Sequence, residues 1–336
     1  MGLIVFSIYL YYFVGVGDLL KALERVETGE YLLFYFLAIG SSMLALFFWA
    51  AAWRTILQTL SVKLKMTKAF LFFWSGYFLD LLVPSQTIAG EITRLYLTHN
   101  ETHQDLGAIA ASAVVNRIVE YIIVSVGLFS SVTVLFLNYS VPPVISGFMV
   151  LVLIGTFIYL GILLSLVLSK RAAEVIASIG IRLLRILRLR KASSSATVEN
   201  TKASLEVFYD GFQSFRQNPK QLVRPIVYQL LWFILNYLVY VFVFNALGFR
   251  DISLGFLIVT YFIASSIQGA TASFSVGSLD IILTQIFVMF GLSTAEGGVA
   301  VVVLRSVTFW VPLFLGYVIA QVVGARSIFR AETRKR

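Results

Sequence analysis

The chain has 336 residues, of which 59% are hydrophobic and only 13% are charged, and its mean hydropathy is +0.89. Soluble domains carry about 25% charged residues, so this chain has too little polar surface for a soluble globule and lipid must be its solvent. It contains no cysteine, which excludes disulfide bonds and thiolate chemistry. The net charge of +9 comes from basic residues beside apolar segments, which favours contact with lipid headgroups over nucleic acid.

Six apolar stretches approach the length of about 20 residues that a membrane-spanning helix needs. The first lacks the basic start and small-residue cleavage site of a signal peptide, so we interpret it as a retained span. The pattern predicts an all-α polytopic membrane protein with about six full transmembrane helices. In chain order these lie at 3–17, 31–57, 107–137, 142–168, 223–247 and 297–325.

Two further apolar regions, 69–98 and 254–292, are interrupted near the middle. The first breaks at Val83-Pro84-Ser85, and the second breaks within 266–278, which is rich in Gly, Ser, Thr and Ala. Each half has about 10 to 15 residues, or roughly 15–22 Å as a helix, which crosses only part of a hydrocarbon core about 30 Å thick. We therefore predict two re-entrant helical hairpins, whose irregular turns are tolerated where protein or a wet cavity shields them.

The basic residues predict the orientation of these segments. If the six spans cross and the hairpins do not, twenty Lys and Arg fall on one side, in 54–68, 169–224 and the tail from 326. Only three fall on the other side. Positively charged loops stay in the cytoplasm, so we expect a multi-pass protein of the cell membrane with both termini cytoplasmic.

A weak internal repeat relates the two halves of the chain. Residues 70–90 align with 256–277, and 114–128 align with 302–316, which places Arg117 on Arg305. Each unit is a broken hairpin followed by a full span that carries one arginine, and the three intervening spans invert the second unit. We predict an inverted repeat, with units of about 69–137 and 254–325 in a single domain of 1–336, as in secondary transporters. Chance similarity between apolar segments is the alternative.

The segment from about 169 to 222 has the pattern of a cytoplasmic amphipathic loop. Its first part separates basic residues from leucine and isoleucine on a predicted helix, which suits a helix lying on an anionic leaflet. In its second part, aromatic residues are spaced so that they form one stripe along a helix, namely Phe208, Tyr209, Phe212 and Phe215. Two interpretations stay open, namely a linker that packs on the bundle and a regulatory or lipid-sensing element.

Ionisable residues at membrane depth are costly and usually face a cavity or one another. Glu91 and Arg94 are three residues apart and share a helix face, and Arg117 and Glu120 repeat that spacing. If a short helix begins near Gly90, its free N–H groups attract anions, and the forked donors of both arginines suit phosphate. We expect a polar, positively charged cavity here. The alternative is that these groups pair with one another and hold the hairpin to the bundle.

The second hairpin carries a smaller set of charges. Asp280 lies near its return, as Glu91 does in the first hairpin, and Arg305 lies on the following span. A carboxylate there could take up a proton and couple it to transport, or it could be purely structural. No Walker loop, Ser-His-Asp set or dinucleotide fingerprint is present in the sequence, so we expect neither an enzyme nor a cofactor.

The motifs together resemble those of the lysylphosphatidylglycerol synthase transmembrane region, also called the flippase-like domain family. The stretch "VPSQTIAGEITRLYL" fits its Pro, Gly-Glu and Arg pattern, "AASAVVNRIVEYI" its next arginine motif, and "GLSTAEGGVAVVVLRSVTFWVPLFLGY" its closing span. Two positions depart from the family pattern, since Asn116 replaces an acid and Asp280 stands where glutamate is expected. The soluble aminoacyl-transferring domain of the family's namesake is not among these 336 residues, so we expect no lipid aminoacylation from them.

The resemblance implies movement of a phosphate-bearing lipid between leaflets, with aminoacyl-phospholipids or polyprenyl phosphates as plausible cargo. The predicted substrate-binding residues are Gly90, Glu91, Arg94, Arg117, Glu120, Asp280 and Arg305. The expected partners are membrane lipids with anionic or phosphate headgroups, and self-association into a homo-oligomer stays open. Two other functions are a secondary transporter of a soluble anion, with a cavity sealed from lipid, and a membrane scaffold that transports nothing.

Overall fold

The computed structural model describes residues 27–82, 88–139, 141, 143–169, 171, 195–250, 252–270 and 278–333. The predicted first span, 3–17, lies outside these residues. The described part contains five helices long and apolar enough to cross a membrane, and each matches one of the other five predicted spans. They are Thr28–Thr59, Leu106–Asn138, Ser146–Leu168, Pro219–Ala246 and Thr294–Val323. The prediction of an all-α polytopic membrane protein is therefore confirmed.

Nearly all of the described backbone is helical, as expected where every backbone group must be satisfied within its own segment. Their bounds are α1 Thr28–Thr59, α2 Met66–Leu82, α3 Ile88–Thr102, α4 Leu106–Asn138, α5 Pro143–Leu168, α6 Ser195–Gln217, α7 Val223–Ala246, α8 Leu254–Ala270, α9 Ser278–Met289, α10 Thr294–Arg305 and α11 Val311–Thr333. A 3₁₀ turn, Pro219–Leu222, precedes α7, and a π-helical turn, Ser306–Trp310, joins α10 to α11.

Helices α1 and α7 pack against each other and form one wall of the bundle. Trp49 of α1 stacks on Trp232 of α7 with ring centroids 4.9 Å apart, and Ser41 Oγ donates to the carbonyl of Leu235 at 2.8 Å. Large apolar side chains on the outer faces stay uncovered, among them Leu137 at 79% exposed and Phe314 at 70%. Such surfaces are stable in hydrocarbon, which is the environment that the composition predicts.

Each interrupted region contains two separate helices that pack together, α2 with α3 and α8 with α9. The first predicted break, at 83–85, lies outside the described residues, and α2 ends directly before it at Leu82. The second break was predicted within 266–278, and α8 ends inside this stretch at Ala270 while α9 begins at Ser278, with 271–277 outside the described residues. Ser266 Oγ donates to the carbonyl of Phe262, four residues back, at 2.9 Å. This bond lets serine remain inside a membrane helix.

Each hairpin packs against the long span of the other half, and in each case a glycine of that span allows the close contact. A Cβ atom on Gly127 of α4 would collide with the Phe262 ring of α8. A Cβ atom on Gly316 of α11 would lie 2.8 Å from Cβ of Phe78 in α2. The two arginines of the repeat are 188 residues apart and these glycines are 189 apart, because the π-helical turn after Arg305 adds one residue. The inverted repeat stays a prediction, which these paired contacts support.

Helix α6 packs across one end of the bundle through the predicted aromatic stripe. Phe208, Phe212 and Phe215 are buried in one cluster with Ile56 of α1 and Val115 of α4. The Tyr209 hydroxyl donates to the carbonyl of Ser169, just past the end of α5, at 2.7 Å. The described part of this segment therefore packs on the bundle. The basic amphipathic stretch that precedes it lies almost entirely outside the described residues.

Candidate functional site

Two glycines bring α2 and α3 into backbone contact near the turn of the first hairpin. A Cβ atom on Gly76 would lie 2.7 Å from the carbonyl oxygen of Gly90. The Gly90 amide donates to Asp80 Oδ1 at 2.8 Å, so the α2 carboxylate caps the first turn of α3. We predicted that this helix start offers free N–H groups to an external anion. That prediction is wrong for Gly90, because the chain's own carboxylate already accepts from its amide.

The close crossing gives a direct test of the hairpin. We expect Gly90→Ala to lower the free energy of unfolding by about 1–3 kcal/mol, because the added methyl overlaps the Asp80 carboxyl group and the Gly76 carbonyl. The measurement is denaturant unfolding of the purified protein in detergent. Gly40→Ala in α1 is the matched control, since nothing lies within 4 Å of its added Cβ. Equal stability of the two variants would contradict this packing.

Glu91 links the first hairpin to the span that follows it. Its Oε1 accepts from Nε of Arg117 at 2.6 Å and lies 3.1 Å from Nη2 of Arg94. Arg117 Nη1 also donates to both carboxylate oxygens of Glu120, at 3.1 and 3.2 Å. Both predicted acid–base pairs therefore form, and Glu91 joins them into one cluster between α3 and α4.

Both arginines keep a guanidinium nitrogen without a hydrogen bond. Nη2 of Arg117 and Nη2 of Arg94 are buried and have no hydrogen-bond partner among the described residues. Nε1 of Trp49 is likewise buried without a hydrogen-bond partner there. The Arg94 nitrogen is close enough to Glu91 for an ion pair but is not aligned for a hydrogen bond. A buried donor without a partner costs about 1–3 kcal/mol, so these atoms are suited to receive an acceptor.

Aromatic rings surround the two guanidinium groups. The guanidinium carbon of Arg94 lies 4.4 Å from the Phe73 ring centroid, and those of Arg94 and Arg117 each lie 5.6 Å from Trp49. Cation–π contacts of this kind stabilise an arginine that has left water. Trp49 therefore lies beside both arginines, although it belongs to α1, far from them in sequence. Its position in an apolar span gives no sequence signal for this role.

The cluster is closed and is not positively charged. Arg94 is 3% exposed, while Arg117 and Glu120 are each 7% exposed. The Glu91 side chain is more open, at 24%. With Asp80, three carboxyl groups accompany two guanidinium groups, so the expectation of a positively charged cavity is wrong for the described residues. Asp80 is the site residue that the predicted set omitted, although its charge at membrane depth was a usable signal.

The second hairpin has a matching ion pair. Arg305, at the end of α10, donates from Nε to Oδ1 of Asp280 at 2.5 Å. Asp280 lies in the first turn of α9 and is completely buried. The acid precedes its arginine by 25 residues here and by 26 residues in the Glu91–Arg117 pair. In both halves, a carboxylate at the start of the second hairpin helix thus binds the arginine of the next span.

Comparison with known protein families identifies the family of this chain. A family model described as the lysylphosphatidylglycerol synthase TM region matches residues 1–316. No curated protein and no solved structure matches the chain. Because the match covers more than half of the sequence, the chain belongs to the lysylphosphatidylglycerol synthase transmembrane-region family.

Proposed function

We propose that this protein moves a phosphate-bearing lipid between the two leaflets of the membrane. Arg94 and Arg117 would bind the phosphate, and Glu91, Glu120 and Asp80 would hold the arginines until the lipid arrives. The observation that carries this proposal is the pair of buried, unpartnered Nη2 atoms of the two arginines. Phosphate oxygens are the acceptors that forked guanidinium donors fit best.

Lipid transport requires the closed cluster to open. Glu91 is the most exposed of the four ion-paired residues in the cluster. It lies on α3, the hairpin helix that contacts α4. A small movement of α3 away from α4 would separate Glu91 from Arg117 and free the Nε donor of that arginine, beside its already unpartnered Nη2. A lipid phosphate could then replace the carboxylate without leaving a buried guanidinium unpaired. Aminoacyl-phospholipids and polyprenyl phosphates both carry the required group.

The proposal includes the orientation of the chain in the membrane and its independence of cofactors. We propose that both termini lie in the cytoplasm, that the chain works without a cofactor, and that it catalyses no covalent reaction. The basic loop 54–68 and the positively charged segment 169–224 support this orientation. Self-association stays compatible with the site, which is built from one copy of the chain.

The test is leaflet exchange of labelled lipids in vesicles that contain the purified protein. We expect Arg94→Ala to slow exchange about tenfold or more, because a hydrogen bond to a charged group contributes about 1.5–3 kcal/mol. Arg250→Ala is the matched control, since Arg250 also forms an ion pair, with Glu30, but is exposed. Equal exchange by wild type and Arg94→Ala would overturn the assignment of this residue.

The same vesicle assay distinguishes lipid transport from the two other functions, transport of a soluble anion and a scaffold role. A transporter of soluble anions would take up labelled phosphate and leave the lipids in place. A scaffold would do neither, and Arg94→Ala would change only its stability. The lipid hypothesis is preferred because a mostly apolar groove between α4 and α8 lies on the same face of α4 as the cluster.

A further inference from the structure

A lateral groove lies between α4 and α8, at the end of the bundle opposite α6. Its volume is about 520 Å³, and its lining includes Gly127 and Val134 of α4, Gly255 and Phe262 of α8, and Phe290. At its inner end the Phe262 ring packs on Gly127, whereas the absence of a side chain at Gly255 leaves open space. Most of the lining is apolar, and the polar residues Asn138 and Ser253 mark its outer end.

We propose that this groove binds one acyl chain of a membrane phospholipid. The groove extends along α4 from Gly127 to Asn138, eleven residues, or roughly 16 Å of helix. This is about half of a hydrocarbon core roughly 30 Å thick, which is the depth of one leaflet and so of one acyl chain. The large apolar side chains Val126 and Phe129 beside it are more than half exposed, so its surroundings are lipid rather than water.

The groove and the charged cluster lie on the same face of α4. Gly127, Val134 and Asn138 follow Glu120 at intervals of 7, 14 and 18 residues, which is the spacing of a single face of an α-helix. The inner end of the groove is about 10 Å from Glu120 along the axis. A lipid whose headgroup enters the cluster would keep its tail on this face. This part of the inference rests on the proposed function, whereas acyl-chain binding as such does not.

The structure offers a variant that fills the groove without disturbing the packing. Gly255 lines the groove, and the nearest atom to an added Cβ there is Ser253 Oγ at 4.0 Å. Gly255→Phe therefore places a ring in the open space of the groove. Gly155→Phe is the control, because Gly155 is an exposed helical glycine of α5 with nothing within 4 Å. Gly127 is unsuitable, since any side chain there would displace Phe262.

The experiment uses the full chain in phosphatidylcholine vesicles doped with a phospholipid that carries a photoactivatable group near the end of one acyl chain. After irradiation, mass spectrometry should find most label in 127–139 and 253–262. We expect Gly255→Phe to reduce this label about tenfold, the loss of roughly two buried methylene groups. Gly155→Phe should label as wild type does. Label in the groove no higher than on exposed α5, or unchanged in a folded Gly255→Phe variant, would overturn the proposal.

Two other occupants of the groove, water and a second copy of the chain, would give different results. Because the chain has no cysteine, Ser130→Cys introduces a single thiol at the groove. Rapid reaction of this thiol with a membrane-impermeant maleimide would show a wet groove, and a thiol-dependent covalent dimer would show a second copy of the chain. Either result would overturn acyl-chain binding. Groove labelling without any leaflet exchange would instead leave this inference standing and refute the proposed function.

Discussion

Arg117→Ala is expected to lower the free energy of unfolding by about 3–5 kcal/mol, because it leaves the buried Glu120 carboxylate without its cation and removes one of the two cations that Glu91 contacts. Arg117 bonds both Glu91 and Glu120, and both Arg117 and Glu120 are 7% exposed. The same change should abolish leaflet exchange. The measurements are denaturant unfolding in detergent and lipid exchange in vesicles.

Loss of stability alone would not distinguish a binding residue from a structural one. The double variant Arg117→Met, Glu120→Gln removes the cation together with the buried Glu120 carboxylate, while Glu91 keeps its ion pair with Arg94. Replacing a buried ion pair by neutral residues of similar size is often close to neutral in stability, so most of the lost free energy should return. Exchange should stay absent. A stable double variant that exchanges lipid at the wild-type rate would show that Arg117 is only structural.

The long spans were predictable because membrane helices follow from a single physical requirement. Outside water, a backbone must satisfy its own hydrogen bonds, so about 20 consecutive apolar residues determine both position and type of secondary structure. The span predicted at 107–137 is observed as Leu106–Asn138, and that at 223–247 ends at Ala246. Breaks within apolar segments depend on weaker signals. The stretch predicted to contain the second break starts at Ser266, but that residue is still helical because its hydroxyl finds an acceptor within the helix.

The charged cluster was partly predictable for a similar reason. The spacing of Glu91 with Arg94 and of Arg117 with Glu120 places each pair on one helix face, and the ion pairs form as that spacing requires. The link between the pairs, Glu91 to Arg117, crosses two helices and depends on their packing. The approach of Trp49 and the capping of Gly90 by Asp80 are tertiary contacts of the same kind. Periodicity within one helix carries no information about them.

The second ion pair allows the roles of the two halves to be separated. Asp280→Ala should lower the free energy of unfolding by about 3–5 kcal/mol, since it removes the buried partner of a guanidinium that is itself 7% exposed. The double variant Asp280→Asn, Arg305→Gln removes both charges and should recover most of that stability. We expect it to retain leaflet exchange within about twofold, because the unpartnered arginine donors that suit phosphate lie in the first cluster. Unfolding and vesicle exchange measured on the same preparations test both statements. A stable double variant without exchange would instead place Asp280 and Arg305 in the transport path, as the sequence repeat suggests, and would make the two halves functionally equivalent.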